Sequence, residues 1–424
     1  MQDHDQRIAL HNEVHARPPE ALQVPMAIAH IVMWTDRDGR EASRNHLAQL
    51  LRDHHLPTPA ANSTHLRADF GSWRLRWELH TEFVTWTFMR EMPSEPANVM
   101  PQTAVQAVPQ QWLNQLPGEC LVRLHLWAMS VRDMDAAWVS QCLREESLVA
   151  STVADGLAEV HTDFQMHADG FARMVLFAGN MAPRRLGRLV QQLLEIETYR
   201  MVALLGLPAA REAGAVLADA ERELAELAQA IRSAKREDEA GLLDRLTRLA
   251  GQVEGQYAAT HSRFSASRAY FELIDRRIHD IRESRLSGLQ TIAEFMERRL
   301  SPARSTCDWA VRRQTALSER VSRMSNLLRT RVEIEQQQSN QELLATMNRR
   351  QGLQLQLQST VEGLSVAAIT YYITGLVHYV VEGLSRHGWP WGVDITTAAT
   401  VPLVALLVWL FIRRIHDRIT VAQR

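Results

Sequence analysis

Short apolar runs separated by polar turns fill the first 205 residues. In one run Trp73, Leu75 and Trp77 alternate with charged residues, which is the period of two of a half-buried strand. The predicted strands are 24–34, 65–70, 73–80, 83–90, 119–131, 148–153, 159–165 and 172–178, and the predicted helices are 37–54, 109–116, 133–144 and 183–205. We therefore expect an α/β domain over residues 1–205, with a sheet of six or seven strands and helices on at least one side.

The charged side of the run at 73–80 allows two interpretations. Trp73 and Trp77, interleaved with Arg74 and Arg76, could form a groove for a single strand of nucleic acid. The strict alternation favours a Trp face in the core and an Arg face outside. The chain carries 47 basic and 49 acidic residues, a net charge of −2, so we expect no nucleic-acid partner.

Helical patterns replace the strands from Gly206 onward, and no later segment resembles a strand. A heptad seam indicates a coiled helix; it consists of Leu217, Ala220, Leu224, Leu227, Ile231 and Ala234. Ser301-Pro302 is typical of an N-cap followed by Pro at the first helical position. We expect one helix from there to about residue 384 that self-associates through Leu317, Val321, Met324 and Leu328. Residues 206–359 would thus form a long α-helical coiled stalk.

Two apolar stretches near the C-terminus predict membrane spans. Residues 363–381 and 395–412 contain no Asp, Glu, Lys or Arg. A hydrocarbon core of roughly 30 Å needs about 20 such residues in a helix. We predict a C-terminal two-helix transmembrane hairpin over 360–412, with spans at about 360–381 and 395–412. A hairpin buried in a soluble core is the alternative.

The distribution of charge predicts the orientation of this hairpin, and the cysteine content bears on the compartment. Arginines lie before the first span and after the second. They are Arg349 and Arg350 before the hairpin, and Arg413, Arg414, Arg418 and Arg424 after it. The connecting segment holds only Arg386. The positive-inside rule then puts both termini, including a tail at 413–424, in the cytoplasm. Residues 1–20 lack the apolar region of a signal peptide. The three cysteines form no C-x-x-C pair and no disulfide framework, which indicates a reducing compartment. We expect a multi-pass protein of the bacterial inner membrane, in contact with lipid.

Four segments resemble patterns of an uncharacterised bacterial membrane-anchored family. They read Asn-Glu-Val-His-Ala-Arg-Pro at 12–18, Glu-Thr-Tyr-Arg-Met at 197–201, Leu-Leu-Arg-Thr-Arg-Val at 327–332 and Thr-Val-Glu-Gly-Leu-Ser at 360–365. The resemblance carries no activity with it.

The whole layout resembles that of the CorA-type divalent-cation transporters: an α/β domain, a helical stalk and two C-terminal spans. That resemblance implies a homopentamer, with the first span lining a pore and the cytoplasmic domain acting as regulator. CorA relatives carry Gly-Met-Asn at the outer end of that span, whereas residues 375–379 here read Gly-Leu-Val-His-Tyr. We expect an oligomeric ion channel or transporter without that selectivity motif, and a metal cation as transported ion or regulator. The alternative is a membrane-anchored oligomeric scaffold or sensor without transport.

One stripe of the long helix has the residues of a pore lining. Alternating steps of three and four from Asn340 pass from Gln amides through small residues to hydroxyls. The candidate pore-lining residues on this stripe are Gln351, Gln354, Gln358, Ser365, Ala368, Tyr372, Gly375, Tyr379 and Glu382, and Glu362, one position off the stripe, could face the inner mouth. Leu344 and Met347 could form an apolar gate that closes by dewetting. A helix-packing seam of small residues is the alternative.

Other candidate chemistry is sparse. His11, Glu13 and His15 could bind a metal, although Pro18 follows at once and opposes the helix that such spacing needs. The polar group of His161, Asp163, His167 and Asp169 is more typical of a turn. The sequence holds no G-x-S-x-G, Walker A, dinucleotide-binding or H-E-x-x-H motif, so we do not expect an enzyme.

Overall fold

The computed structural model describes residues 3–8, 10–11, 18–93, 101–134, 136–385 and 391–422. The chain divides into two compact units, Met1–Ser325 and Asn326–Arg424. The strands are β1 (Met26–Trp34), β2 (His65–Asp69), β3 (Arg74–Leu79), β4 (Phe83–Glu91), β5 (Glu119–Ser130), β6 (Val149–Val153), β7 (Ala158–Thr162), β8 (Ala172–Ala178) and β9 (Ser284–Arg285). The helices are α1 (Arg37–Asp53), α2 (Gln110–Leu113), α3 (Ala136–Cys142), α4 (Pro183–Leu204), α5 (Gly206–Ser233), α6 (Glu239–Asp280), α7 (Ile292–Ser385) and α8 (Val393–Ala422).

The first unit is built around one sheet with the strand order β2-β3-β4-β1-β5-β8-β7-β6-β9. β5 and β8 pair in parallel, and the other neighbours pair antiparallel. β1 is central: in the register, Ile28 lies between Met89 of β4 and Leu126 of β5. Side chains on alternate positions of β1 therefore enter different cores on the two faces of the sheet.

Helices cover both faces of this sheet, which gives three layers. On one face α4 and parts of α6 and α7 share a core with Ile28 and Leu126. On the other face α1, α2 and α3 surround the fully buried Trp77, Trp86 and Trp127. The predicted α/β domain is confirmed, and its helices lie on both sides of the sheet.

Three sequence predictions for the sheet need correction. The structure has nine strands among its described residues, not six or seven. A strand does occur after residue 205, because β9 pairs with Ser151 and Thr152 of β6. The charged face of β3 is not outside: Arg76 is 8 % exposed, since this face of the strand lies beneath α4. A purely alternating pattern shows which residues share a face but does not show whether another layer covers it.

Helices α5, α6 and the beginning of α7 pack together in the first unit. Ion pairs join α6 to α7 (Arg268–Asp308 and Arg304–Asp275) and α5 to α7 (Arg313–Glu221). The predicted seam on α5 is buried from Leu217 to Leu227. Leu317 and Val321 are each 1 % exposed within the single chain. These two residues were predicted to drive self-association, but the chain itself already covers them.

Helix α7 begins ten residues before the predicted start. Thr291 and Glu294 form a reciprocal capping box, and the Glu283 carboxylate accepts hydrogen bonds from the backbone N–H groups of Ile292 and Ala293. The predicted start at Ser301-Pro302 is therefore wrong, and Pro302 lies inside the helix. From Ile292 the helix runs without a break to Ser385, which confirms the predicted continuity.

Three described helical segments are long and apolar enough to cross a membrane: Pro183–Ser233, Ile292–Ser385 and Val393–Arg414. The second and third contain the predicted spans. The first was not predicted, and its apolar side chains have another role, because Leu186, Leu189 and Leu193 of α4 are buried in the core against the sheet.

Candidate functional site

The predicted pore stripe lies on the part of α7 that belongs to the second unit, and the chain itself leaves most of it uncovered. Leu344 and Met347, the gate candidates, are exposed, as are Tyr372 and Tyr379. The other exposed members are Gln351, Gln354, Gln358, Ala368 and Glu382, and the half-buried ones are Glu362, Ser365 and Gly375. The structure thus places most of the stripe where another molecule could reach it.

The opposite side of α7 is the buried one. Thr370 and Val381 are buried, and each lies two residues from a stripe tyrosine, roughly 200° around the helix. His378 lies between these two residues in the chain, and its ring nitrogen Nδ1 is 3.2 Å from the Thr397 hydroxyl of α8. The side of α7 that meets α8 is therefore not the stripe.

Polar groups on the stripe are bonded within the helix. The Ser365 hydroxyl donates to the Val361 carbonyl over 2.8 Å, and the Gln358 amide donates to Glu362 over 3.2 Å. A hydroxyl bonded to its own helix keeps acceptor capacity on its oxygen, so Ser365 can still face water or a cation.

Apolar side chains are also exposed on α7 before the predicted span. Leu343, Leu353, Leu355 and Leu357 are each more than half exposed in the single chain. Exposed apolar patches of this kind mark surfaces that bind another molecule.

The structure describes one of the three predicted metal ligands near the N-terminus. His11 is exposed, whereas Glu13 and His15 lie outside the described residues. Within the described part of the chain, no group of three or more His, Cys, Asp or Glu side chains could hold a metal ion.

The second polar group, around Asp163, organises a turn. The buried Asp163 carboxylate accepts from the backbone N–H groups of Arg144 and Gln165 and lies 2.8 Å from His167 Nε2. Asp169 accepts from the Phe171 N–H in the same loop. These bonds satisfy turn backbone and support the interpretation of the group as turn chemistry.

A polar cavity under α4 is the feature that sequence reasoning missed. Its volume is about 50 Å³, enough for a few water molecules. Its charged and polar lining consists of Glu20, His30, Arg76, Glu78, His80, Thr85, Thr87, Gln191, Glu195, Thr198 and Tyr199. The backbone at Glu20 closes one end against Gly187, where a Cβ atom would lie 1.6 Å from the Glu20 carbonyl oxygen.

His30 belongs to a chain of hydrogen bonds at the base of this cavity, and both of its ring nitrogens are bonded. The Thr198 hydroxyl donates to the Leu194 carbonyl, so it accepts from His30 Nε2, while Nδ1 accepts from the Thr87 hydroxyl. This assigns the neutral Nε2–H tautomer. Burial, with smaller contributions from the charge of Arg76 and from His80, lowers the pKa of His30 to about 3.

The carboxylates around the cavity are each paired with an arginine. Arg76 binds Glu78 at 2.7 Å, Arg74 binds Glu20 at 2.7 Å, and Arg277 binds Glu195. Burial and the neighbouring Glu195 carboxylate raise the pKa of Tyr199. With a neutral histidine and paired charges, the cavity resembles a structural polar network rather than a catalytic centre. Two sequence features belong to it, although neither predicts a cavity by itself: a lone histidine in the apolar run of β1, and Thr198-Tyr199 within the pattern at 197–201.

The fold and these surfaces define a class of protein: a three-layer α/β domain continued by long helices that include apolar segments of membrane-spanning length. The chain belongs to the family described as "Protein of unknown function (DUF3422)", whose model matches residues 2–419. This confirms the predicted likeness to an uncharacterised family. No curated protein and no solved structure matches the chain.

Proposed function

We propose that this chain is the subunit of a homo-oligomeric membrane ion channel or transporter with CorA-like architecture, in which the α/β domain is the regulatory part. The proposal places the protein in the bacterial inner membrane, in contact with lipid. Both termini lie in the cytoplasm, and α7 and α8 form a hairpin through the bilayer.

The observation that carries the proposal is the unbroken helix α7 with its exposed surface. Its first residues pack inside the first unit, its last turns are apolar, and between them Leu343, Leu344 and Met347 are about 60 % exposed. The free energy of the assembly falls when a partner removes long apolar side chains from water. Parallel copies of the same helix would cover them around a common axis, and a pentamer is the form that the CorA resemblance favours.

The stripe would then face the axis. Glutamine amides at 351, 354 and 358 would surround a hydrated entrance, and Ser365, Tyr372 and Tyr379 would line the span. Polar atoms facing hydrocarbon without a partner cost several kcal/mol each, which favours an inward position for these side chains. Leu344 and Met347 would form the apolar constriction.

The transported ion is a metal cation in this proposal, but the CorA selectivity motif is replaced by Gly375-Leu376-Val377. That replacement is the observation that favours the second candidate, a membrane-anchored oligomeric scaffold or sensor in which the hairpin is a tether. The two candidates differ in whether water reaches the stripe within the bilayer.

Cysteine substitution tests the proposal. Ser365→Cys, Tyr372→Cys and Tyr379→Cys are compared with Ile373→Cys and Val380→Cys, which lie on another side of the same helix. All are made in a Cys120→Ser background and reconstituted in vesicles for a cation-flux assay. A water-soluble thiol reagent should alter flux in the stripe variants and leave the two controls unchanged. If the stripe cysteines stay unreactive and no monovalent or divalent cation crosses, the tether function replaces the channel.

A further inference from the structure

An open pocket lies beside the start of β5, on the face of the first unit where α4 ends. Its volume is about 470 Å³, within the range of small-molecule sites. Its walls include Cys120, Leu121, Arg123, Phe164, Arg200 and Met201. It shares no lining residue with the polar cavity under α4.

Arg123 brings an uncompensated positive charge to this pocket. Its guanidinium lies over the Phe171 ring, 5.9 Å from the centroid, and its Nε donates to the Cys120 sulfur over 3.1 Å. Within the described residues it forms no salt bridge, so its two Nη groups remain available to an acidic ligand.

Arg200 supplies a second guanidinium that is held in place. Its Nε and Nη2 donate to the two oxygens of Glu197, a carboxylate that is 3 % exposed, and its plane lies over Phe164 at 5.3 Å. Two of the five guanidinium N–H bonds are used in this pair, which leaves three for a ligand. Stacking and pairing fix the orientation of the side chain before any ligand binds.

We propose that this pocket binds a phosphorylated organic anion, with Arg123 and Arg200 on the phosphate groups and the apolar walls against the organic part. Arg123, Arg200 and Glu197 give the lining a charge of +1, and phosphate oxygens match guanidinium N–H groups in geometry. Leu121 and Met201 offer apolar contact for the organic part, while the Phe164 ring is already stacked between Arg200 and Phe295. The site is independent of whether the protein conducts ions.

Cys120 provides the readout, because its thiol lies on the pocket wall and is exposed. The other two cysteines are buried, and burial raises the pKa of Cys142 to about 12 and that of Cys307 to about 11. A chromogenic disulfide reagent applied to the full-length protein in detergent should therefore modify Cys120 first. The probes are ATP, tripolyphosphate and adenosine.

The expected result is that ATP slows modification of Cys120 and adenosine does not. Arg123→Gln should weaken this protection by roughly tenfold in ATP concentration. Arg132→Gln, at an exposed arginine outside the pocket, is the matched control and should behave like the native protein. If tripolyphosphate protects Cys120 as well as ATP does, the phosphate groups account for the whole affinity. If tripolyphosphate protects less than ATP, contact with the apolar walls contributes to binding as well.

Three results would overturn the proposal. They are an unchanged rate with all three probes at millimolar concentration, equal protection by adenosine and ATP, and equal loss of protection in Arg123→Gln and Arg132→Gln. Direct calorimetric titration of ATP into the Cys120→Ser variant separates ligand binding from any effect of the thiol itself.

Discussion

At the scale of single residues, His30 shows how a fold fixes the charge of a side chain. Both ring nitrogens are bonded to threonine hydroxyls, and burial lowers the pKa to about 3 from an ordinary value of 6.5. His125, stacked on Phe171, has a pKa of about 4, again because burial disfavours the charged ring. Both histidines are neutral in the folded protein near neutral pH.

This neutrality predicts a loss of stability on acidification. Between pH 6.5 and about 3 the unfolded chain binds a proton at His30 and the folded chain does not, so stability falls as the pH drops through 6.5. The contribution approaches about 1.4 kcal/mol per pH unit well below that value. His30→Gln keeps hydrogen-bonding capacity but cannot titrate.

Melting temperature against pH, followed by tryptophan fluorescence, checks this prediction. From pH 7 to pH 5 the His30→Gln melting temperature should fall less steeply than that of the native protein. His65→Gln, at an exposed histidine of β2, should keep the native slope. An unchanged slope in His30→Gln would mean that His30 takes up its proton equally in the folded and unfolded states.

At the scale of elements, sequence periodicity located the strands well. The eight predicted runs match β1 to β8, and β8 was predicted at its observed bounds. Local pattern could not show β9, because two residues become a strand only through pairing with Thr152 and its neighbour in a distant segment. The start of α7 was readable in principle from Thr291 and Glu294, which form the capping box, but Pro302 gave the stronger local signal.

The candidate sites also differ in whether local sequence pattern could define them. The stripe on α7 follows from helical spacing, so the sequence was sufficient to define it. The polar cavity and the arginine pocket combine residues from segments far apart in the chain, such as Arg123 and Arg200. Neither segment carries a periodic or motif-like signal for the other, so only the fold could bring them together.

Close packing of α5 against its neighbours predicts opposite effects for two glycines. A Cβ at Gly206 would lie 2.5 Å from the Ser267 hydroxyl and 3.2 Å from the Cys307 sulfur, whereas a Cβ at Gly251 would meet nothing within 4 Å. Gly206→Ala should destabilise the protein by about 1–3 kcal/mol through overpacking. Gly251→Ala, inside helix α6, should stabilise it by about 0.4–1 kcal/mol.

Chemical denaturation of the two variants under one detergent condition provides the comparison. Equal stability changes for Gly206→Ala and Gly251→Ala would show that α5, α6 and α7 are not packed as closely as described.

At the scale of the whole molecule, the membrane topology is the first testable consequence of the proposed function. A reporter fused after Arg424 should be cytoplasmic, because arginines follow the second span. Gly392→Cys, in the Cys120→Ser background, should react with a membrane-impermeant thiol reagent applied to the outside of intact spheroplasts. Labelling of Gly392→Cys only after the membrane is opened would contradict the positive-inside argument.

The central claim is that copies of α7 surround an axis that their polar stripe lines. The most direct measurement is a single-particle structure of the full-length protein in lipid nanodiscs, viewed along the membrane normal. We predict a five-fold ring in which Ser365, Tyr372 and Tyr379 face the axis and Leu344 and Met347 form the narrowest apolar ring. A monomer or dimer, or a ring whose stripe faces lipid, would contradict the claim.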